Sequence, residues 1–183
     1  MIESPFTCQE ETNMNARLRR IAGPLGWAWI LTLLLSTTAA QAAPINDAAA
    51  LAGLKSAKAV FLVDLGNPER AAHVLNLAGK TATSMDKQGV KAHVVVVIVG
   101  PTVAFLTKDR RGISYQDQRP VAELQKAVRH LNAMGIRTEA CDVALRGHDI
   151  PPQDVIPEVH VVGNGYISVI AYEAKGYSLV PVY

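Results

Sequence analysis

The residue with the most pointed chemistry is Cys141, set in the run Glu139-Ala140-Cys141-Asp142-Val143-Ala144-Leu145-Arg146-Gly147. Here a strand-like alternation gives way to a helix-like pattern. A thiol at the carboxyl end of a strand and the start of a helix lies near backbone N–H groups and the positive end of the helix dipole. Both favour thiolate over thiol. Arg146 and His148 follow closely in sequence. Arg146 reads either as a group that steadies an anion on sulfur or as a solvated helix-end residue, and His148 either as a proton donor or as an exposed loop histidine. Asp142 opposes thiolate formation. A single cysteine also reads as a small buried apolar residue, so a reactive and an inert Cys141 both stand at this point.

Other chemistries find less support. His73, His93, His130 and His160 are scattered, without the i,i+4 or Cys-x-x-Cys spacing of zinc and copper sites, so no metal is assigned. Asp64, Gly66 and Asn67 sit where a nucleotide-binding turn would, yet the G-x-G-x-x-G and P-loop patterns are both absent, and helix capping explains them. No cofactor is assigned. No Ser/His/Asp set or close carboxylate pair suggests hydrolysis.

The elements that must position Cys141 follow from periodicity. Residues 43–56 are Ala-rich and weakly patterned, and read as a linker or short helix. Ala59–Val63 and Val94–Val99 are continuous apolar runs, the form of strands buried on both faces. Between them Asn67, Pro68 and Glu69 make a helix start, and Ala71, Val74, Leu75, Ala78, Ala82 and Met85 recur on one face until Gly89. A brief helix is expected over Val103–Leu106, a loop over Lys108–Gln118, and a helix from Pro120 to Gly135. Ile136–Cys141 and Val159–Val162 read as further strands, Tyr166–Ala174 as a helix and Tyr177–Val182 as a last strand. Strands alternating with helices imply a three-layer α/β/α domain over residues 57–183 with a mostly parallel five-stranded sheet. Such sheets bind ligands beyond the carboxyl ends of their strands. That rim gathers Asp64 to Asn67, Gly100-Pro101, Cys141 and Gly163-Asn164, making Asn67, Gly100, Arg146 and His148 the candidate substrate-binding residues around Cys141.

The first 42 residues have a different character. Arg17, Arg19 and Arg20 form a basic flank, Trp27 to Leu35 an apolar segment, and Ala40-Gln41-Ala42 a small-residue cleavage pattern. This is the pattern of a secretory signal peptide cut after Ala42, which would place the protein in the periplasm. The rival reading is an uncleaved anchor over Ile21–Ala43, and Met14 is an alternative start. Cys8 falls in the segment to be removed, which leaves Cys141 as the one mature cysteine in a thiol-oxidising compartment. Cleavage takes three arginines and three glutamates, so the formal charge stays at +2. With no basic block or stripe, nucleic acid is not expected as a partner, nor is stable membrane insertion after cleavage.

From about Ala57 to Tyr183 the chain resembles the DsrE/DsrF-like family of small sulfur-handling proteins. The resemblance is carried by the opening strand with Asn67-Pro68-Glu69, the Leu75-Asn76 helix, Val99-Gly100-Pro101, and the helix before Gly135. It continues through the Cys-x(4)-Arg-Gly stretch at Cys141–Gly147, Ile156-Pro157 before Val159–Val162, and the closing Gly176-Tyr177. It implies a flavodoxin-like fold that often assembles as trimers or hexamers. It also implies that a cysteine matching Cys141 carries sulfane sulfur as a persulfide, passed between a donor and an acceptor thiol protein. The alternative is an oligomeric small-ligand-binding or structural protein with an inert, buried Cys141.

Overall fold

The computed structural model describes residues 45–183, and Asp47–Tyr183 form one compact unit. The expected signal peptide, its cleavage site and Cys8 lie outside the described residues. A short helix α1, Ala48–Leu51, falls within the expected linker. The alternation that follows is β1 (Ser56–Val63), α2 (Pro68–Lys87), β2 (Lys91–Ile98), a 3-10 helix (Gly100–Leu106) and α3 (Gln118–Ala133). The chain then runs through β3 (Arg137–Cys141), α4 (Asp142–Gly147), β4 (His160–Val162), α5 (Gly165–Ala174) and β5 (Ser178–Val182). Strands β1 and β2 begin three residues earlier than their apolar runs, because parallel pairing extends through Ser56↔Lys91 before burial begins. The 3-10 helix starts at Gly100, ahead of the brief helix expected over Val103–Leu106, and α3 starts at Gln118, ahead of Pro120. Among the described residues no helix is long and apolar enough to cross a membrane.

The five strands form one sheet in the order β4-β3-β2-β1-β5, and every pairing is parallel. Three successive steps move outward from β1, and the last connection, through α5, returns across the sheet to pair β5 with β1. Strand alternation splits the core into two layers. Phe61, Val63, Val94, Val96, Ile98 and Ala140 pack under α2, α3 and Leu145 of α4. Val60, Leu62, Val95, Val97, Val99 and Cys141 pack under Val169 of α5. Because β-strands place successive side chains on opposite faces, a residue's parity decides its layer, and Cys141 falls in the layer beneath α5.

The first layer is well built. The Asn67 side chain accepts the Arg70 backbone N–H at 2.8 Å, Pro68 opens α2, and Ala71, Leu75, Ala78 and Ala82 give it an apolar stripe. Leu75, Leu124 and Leu131 are fully buried there, each contributing roughly 1.5–3 kcal/mol of transfer free energy before entropy is counted. The second layer is thinner. Gly165 and Val169 are the buried residues of α5, whereas Ile167 and Ile170 point outward at 63% and 65% exposure.

Candidate functional site

Cys141 ends β3 and occupies the N-cap position of α4, with extended backbone and no capping bond from its side chain. The expected position, a strand end at the carboxyl rim, is therefore observed. Its environment differs from the open rim pictured from sequence: the residue is 3% exposed and sits among Val97, Val99 and Val169. The start of α5 closes over it. A Cβ added at Gly165 would lie 2.7 Å from Val99 Cγ1, 3.1 Å from Cys141 Cβ and 3.2 Å from Val97 Cγ1. Only a residue without a side chain lets the helix approach this closely. Asn164 fixes that approach by accepting the Tyr166 backbone N–H at 3.0 Å.

The four candidate binding residues sit on different elements around the rim. Arg146 pairs with Asp142 one turn back at 3.1 Å, and His148 caps the far end of α4. Six residues of helix span about 9 Å, so His148 stands a helix length from the cysteine, whereas the Arg146 side chain reaches back to Asp142, the residue next to Cys141. The Asp142–Arg146 pair also occupies the charge that was expected either to oppose thiolate or to steady an anion. Asn67 spends its side-chain oxygen on the α2 cap and lines an open depression with Glu69, Arg70, His73 and Val74. That depression runs along α2, the helix packed on the opposite face of the sheet from Cys141. Gly100 lies at the end of the strand next to β3, with φ of +54°, and the space where a side chain would stand is filled by the Asp64 carboxylate. Its role in this structure is to let Asp64 and the turn into the 3-10 helix fit together.

The structure adds a cluster that no sequence motif marks. Arg137, Glu139 and Cys141 alternate along β3 and share the face under α5. Glu139 is 3% exposed, and its Oε1 accepts from Arg137 Nε at 2.6 Å and from the Tyr172 hydroxyl of α5 at 2.9 Å. Its other oxygen, Oε2, is buried with no hydrogen-bond partner. The bond to Glu139 raises the Arg137 pKa, while burial, and then the same carboxylate, raises that of the Tyr172 phenol. Tyr172 packs edge-on against Tyr177, and Lys58 Nζ donates to the Lys175 carbonyl at 3.1 Å near the end of the helix. The available sequence signal was charge inside a strand of a covered parallel sheet, where an acidic side chain needs a partner.

The model of the DsrE/DsrF-like family matches residues 57–182, the whole sheet from β1 to β5. The chain belongs to that family. A relative from Aquifex aeolicus (strain VF5), an uncharacterized protein, is 26% identical over 125 residues, covering 68% of this chain and 55% of that protein. The chain thus spans about half the length of this curated relative. Among solved structures it is similar to MTH1491 of Methanobacterium thermoautotrophicum, a protein of unknown function, with 19% identity and a TM-score of 0.54. That match covers 69% of this chain and 99% of the other, and supports the α/β fold alone. The ychN protein of E. coli follows at 13% identity and a TM-score of 0.48, covering 68% of this chain and 99% of its own.

Proposed function

We propose that this DsrE-family protein carries sulfane sulfur as a persulfide on Cys141, as a relay between a donor and an acceptor thiol protein. The observation that carries the reading is the position of Cys141: the free cysteine of the described residues ends β3 at the carboxyl rim, within the family-matched span. In the loading step the Cys141 thiolate attacks the terminal sulfur of a donor persulfide R–S–SH. The donor S–S bond breaks, Cys141–S–SH forms, and R–S⁻ leaves to take up a proton as R–SH. Attack by the acceptor thiolate on the same outer sulfur reverses the sequence on a new partner. The chain acts as a carrier, regenerated at each cycle.

Mass spectrometry of the intact protein after exposure to inorganic polysulfide tests this directly. The expected result is one added sulfur, removed by dithiothreitol and absent in Cys141→Ala. No gain by the wild type, or equal gain by Cys141→Ala, overturns it. The burial of Cys141 favours the second reading, an oligomeric binding or structural protein with a silent thiol, and the same null result would support that one.

Two further parts of the reading rest on the sequence. The Arg17–Arg20 flank, the apolar segment and Ala40-Gln41-Ala42 support export to the periplasm with cleavage after Ala42. The exposed Ile167 and Ile170 on α5 support a homo-oligomer, a trimer or hexamer by family likeness.

A further inference from the structure

We propose that α5 is a lid over Cys141, latched to β3 by the Tyr172–Glu139 hydrogen bond, and that the thiol is reached only when this helix lifts. The inference deepens the persulfide reading by naming what controls access to its sulfur. Three observations carry it. The start of α5 is the cover, since Gly165 packs directly on Cys141 and Val99. The helix is held by little: Gly165 and Val169 are its buried residues, and few buried apolar contacts mark an element that opens without global unfolding.

The third observation is the state of the latch. Glu139 Oε1 holds the Tyr172 hydroxyl at 2.9 Å and Arg137 Nε at 2.6 Å, but Oε2 is buried without a partner while the helix is down. An unpaired buried carboxylate oxygen is costly, and lifting the helix lets water reach it. Within one chain the closed arrangement is thus held by the Tyr172 hydroxyl bond, the edge-on Tyr172–Tyr177 contact, the Gly165 and Val169 packing and the Lys58–Lys175 bond at the helix end, with Oε2 left unpaired beneath it. Tyr172 and Glu139 act on the sulfur through the helix, as positioning residues.

The rate of Cys141 alkylation by iodoacetamide in the native protein, followed across urea concentrations below the unfolding transition, tests the lid. A local opening exposes little surface, so the wild-type rate is expected to be nearly flat in urea until the global transition begins. Tyr172→Phe removes the latch bond to a charged acceptor and leaves the thiol in place. It is expected to raise that flat rate about tenfold. Val169→Ala, which trims the buried side chain of the lid without touching Glu139, is expected to raise it too and serves if Tyr172→Phe does not fold.

A wild-type rate that climbs with urea from the lowest concentrations, no native alkylation at all, or unchanged flat rates in the folded variants would overturn the lid. Sulfur loading is read separately. A protein that takes up sulfur on Cys141 but shows no latch effect loses the lid and keeps the relay. One that shows the latch effect but takes up no sulfur keeps the lid and loses the relay.

Discussion

Thr102 shows how a single side chain sets the rim of the sheet. It is fully buried in the 3-10 helix, and its hydroxyl accepts the Leu65 N–H at 2.6 Å while donating to the Leu65 carbonyl at 2.8 Å. Both backbone groups of Leu65, two residues past β1, are thereby satisfied by one side chain across the strand ends. Thr102→Val keeps the shape and removes both bonds, leaving a buried donor and a buried acceptor unpaired, at a cost of about 2–4 kcal/mol. Urea denaturation is expected to show a lower midpoint with an unchanged slope, and a loss below 1 kcal/mol would mean that water replaces the hydroxyl. Asn67 was legible from sequence, because a cap followed by proline and glutamate is a local pattern that local chemistry completes. Thr102 was not, because its partner lies 37 residues away and a threonine two residues after a glycine carries no periodic signal. The pairing of Arg146 with Asp142 is legible in their i,i+4 spacing, a local signal that competes with any role of either charge toward the sulfur.

At the scale of elements, the sequence conveyed strand and helix order well because continuous valine runs and three-four spacing are strong signals. It could not convey how thick each layer would be. Whether a helix covers its strands depends on which side its connection crosses, and that follows from strand order rather than from any local residue. The contact of α5 with β2 and β3 illustrates this, since Gly165 reads in sequence as an ordinary helix-start residue and proves to be where helix meets sheet. Gly165→Ala places a methyl group 2.7 Å from Val99 Cγ1 and 3.1 Å from Cys141 Cβ. Both neighbours are on short, stiff side chains, so the helix must move, at a cost of about 1–3 kcal/mol. The variant is expected to melt at lower temperature and to expose Cys141 to alkylation more than the wild type. A variant with lower stability and an unchanged alkylation rate would show that the strain is absorbed elsewhere along α5.

The unit from Asp47 to Tyr183 is asymmetric about its sheet. Among the described residues, one face packs α2, α3 and α4 and the other packs α5, whose outward side presents Ile167 at 63% and Ile170 at 65% exposure beside a half-exposed Tyr166. A helix apolar on both sides belongs in an interior, and neighbouring apolar side chains left facing water mark a surface that a partner covers. A second copy of the chain supplies such a partner by symmetry, since a patch that buries itself against its own image needs no other protein. Because both isoleucines are exposed within one chain, replacing them costs the isolated fold little, and an effect of the substitution can be assigned to assembly. Ile167→Asp with Ile170→Asp is therefore expected to leave far-ultraviolet dichroism unchanged while light scattering reports a smaller assembly than that of the wild type. At an interface the aspartates would each be buried without a partner, a penalty of several kcal/mol per contact that a standard-size association does not survive. If the wild type already scatters as a monomer at tens of micromolar, or if the double variant keeps the wild-type mass, α5 does not face another copy, and its outer surface is left for the donor or acceptor protein.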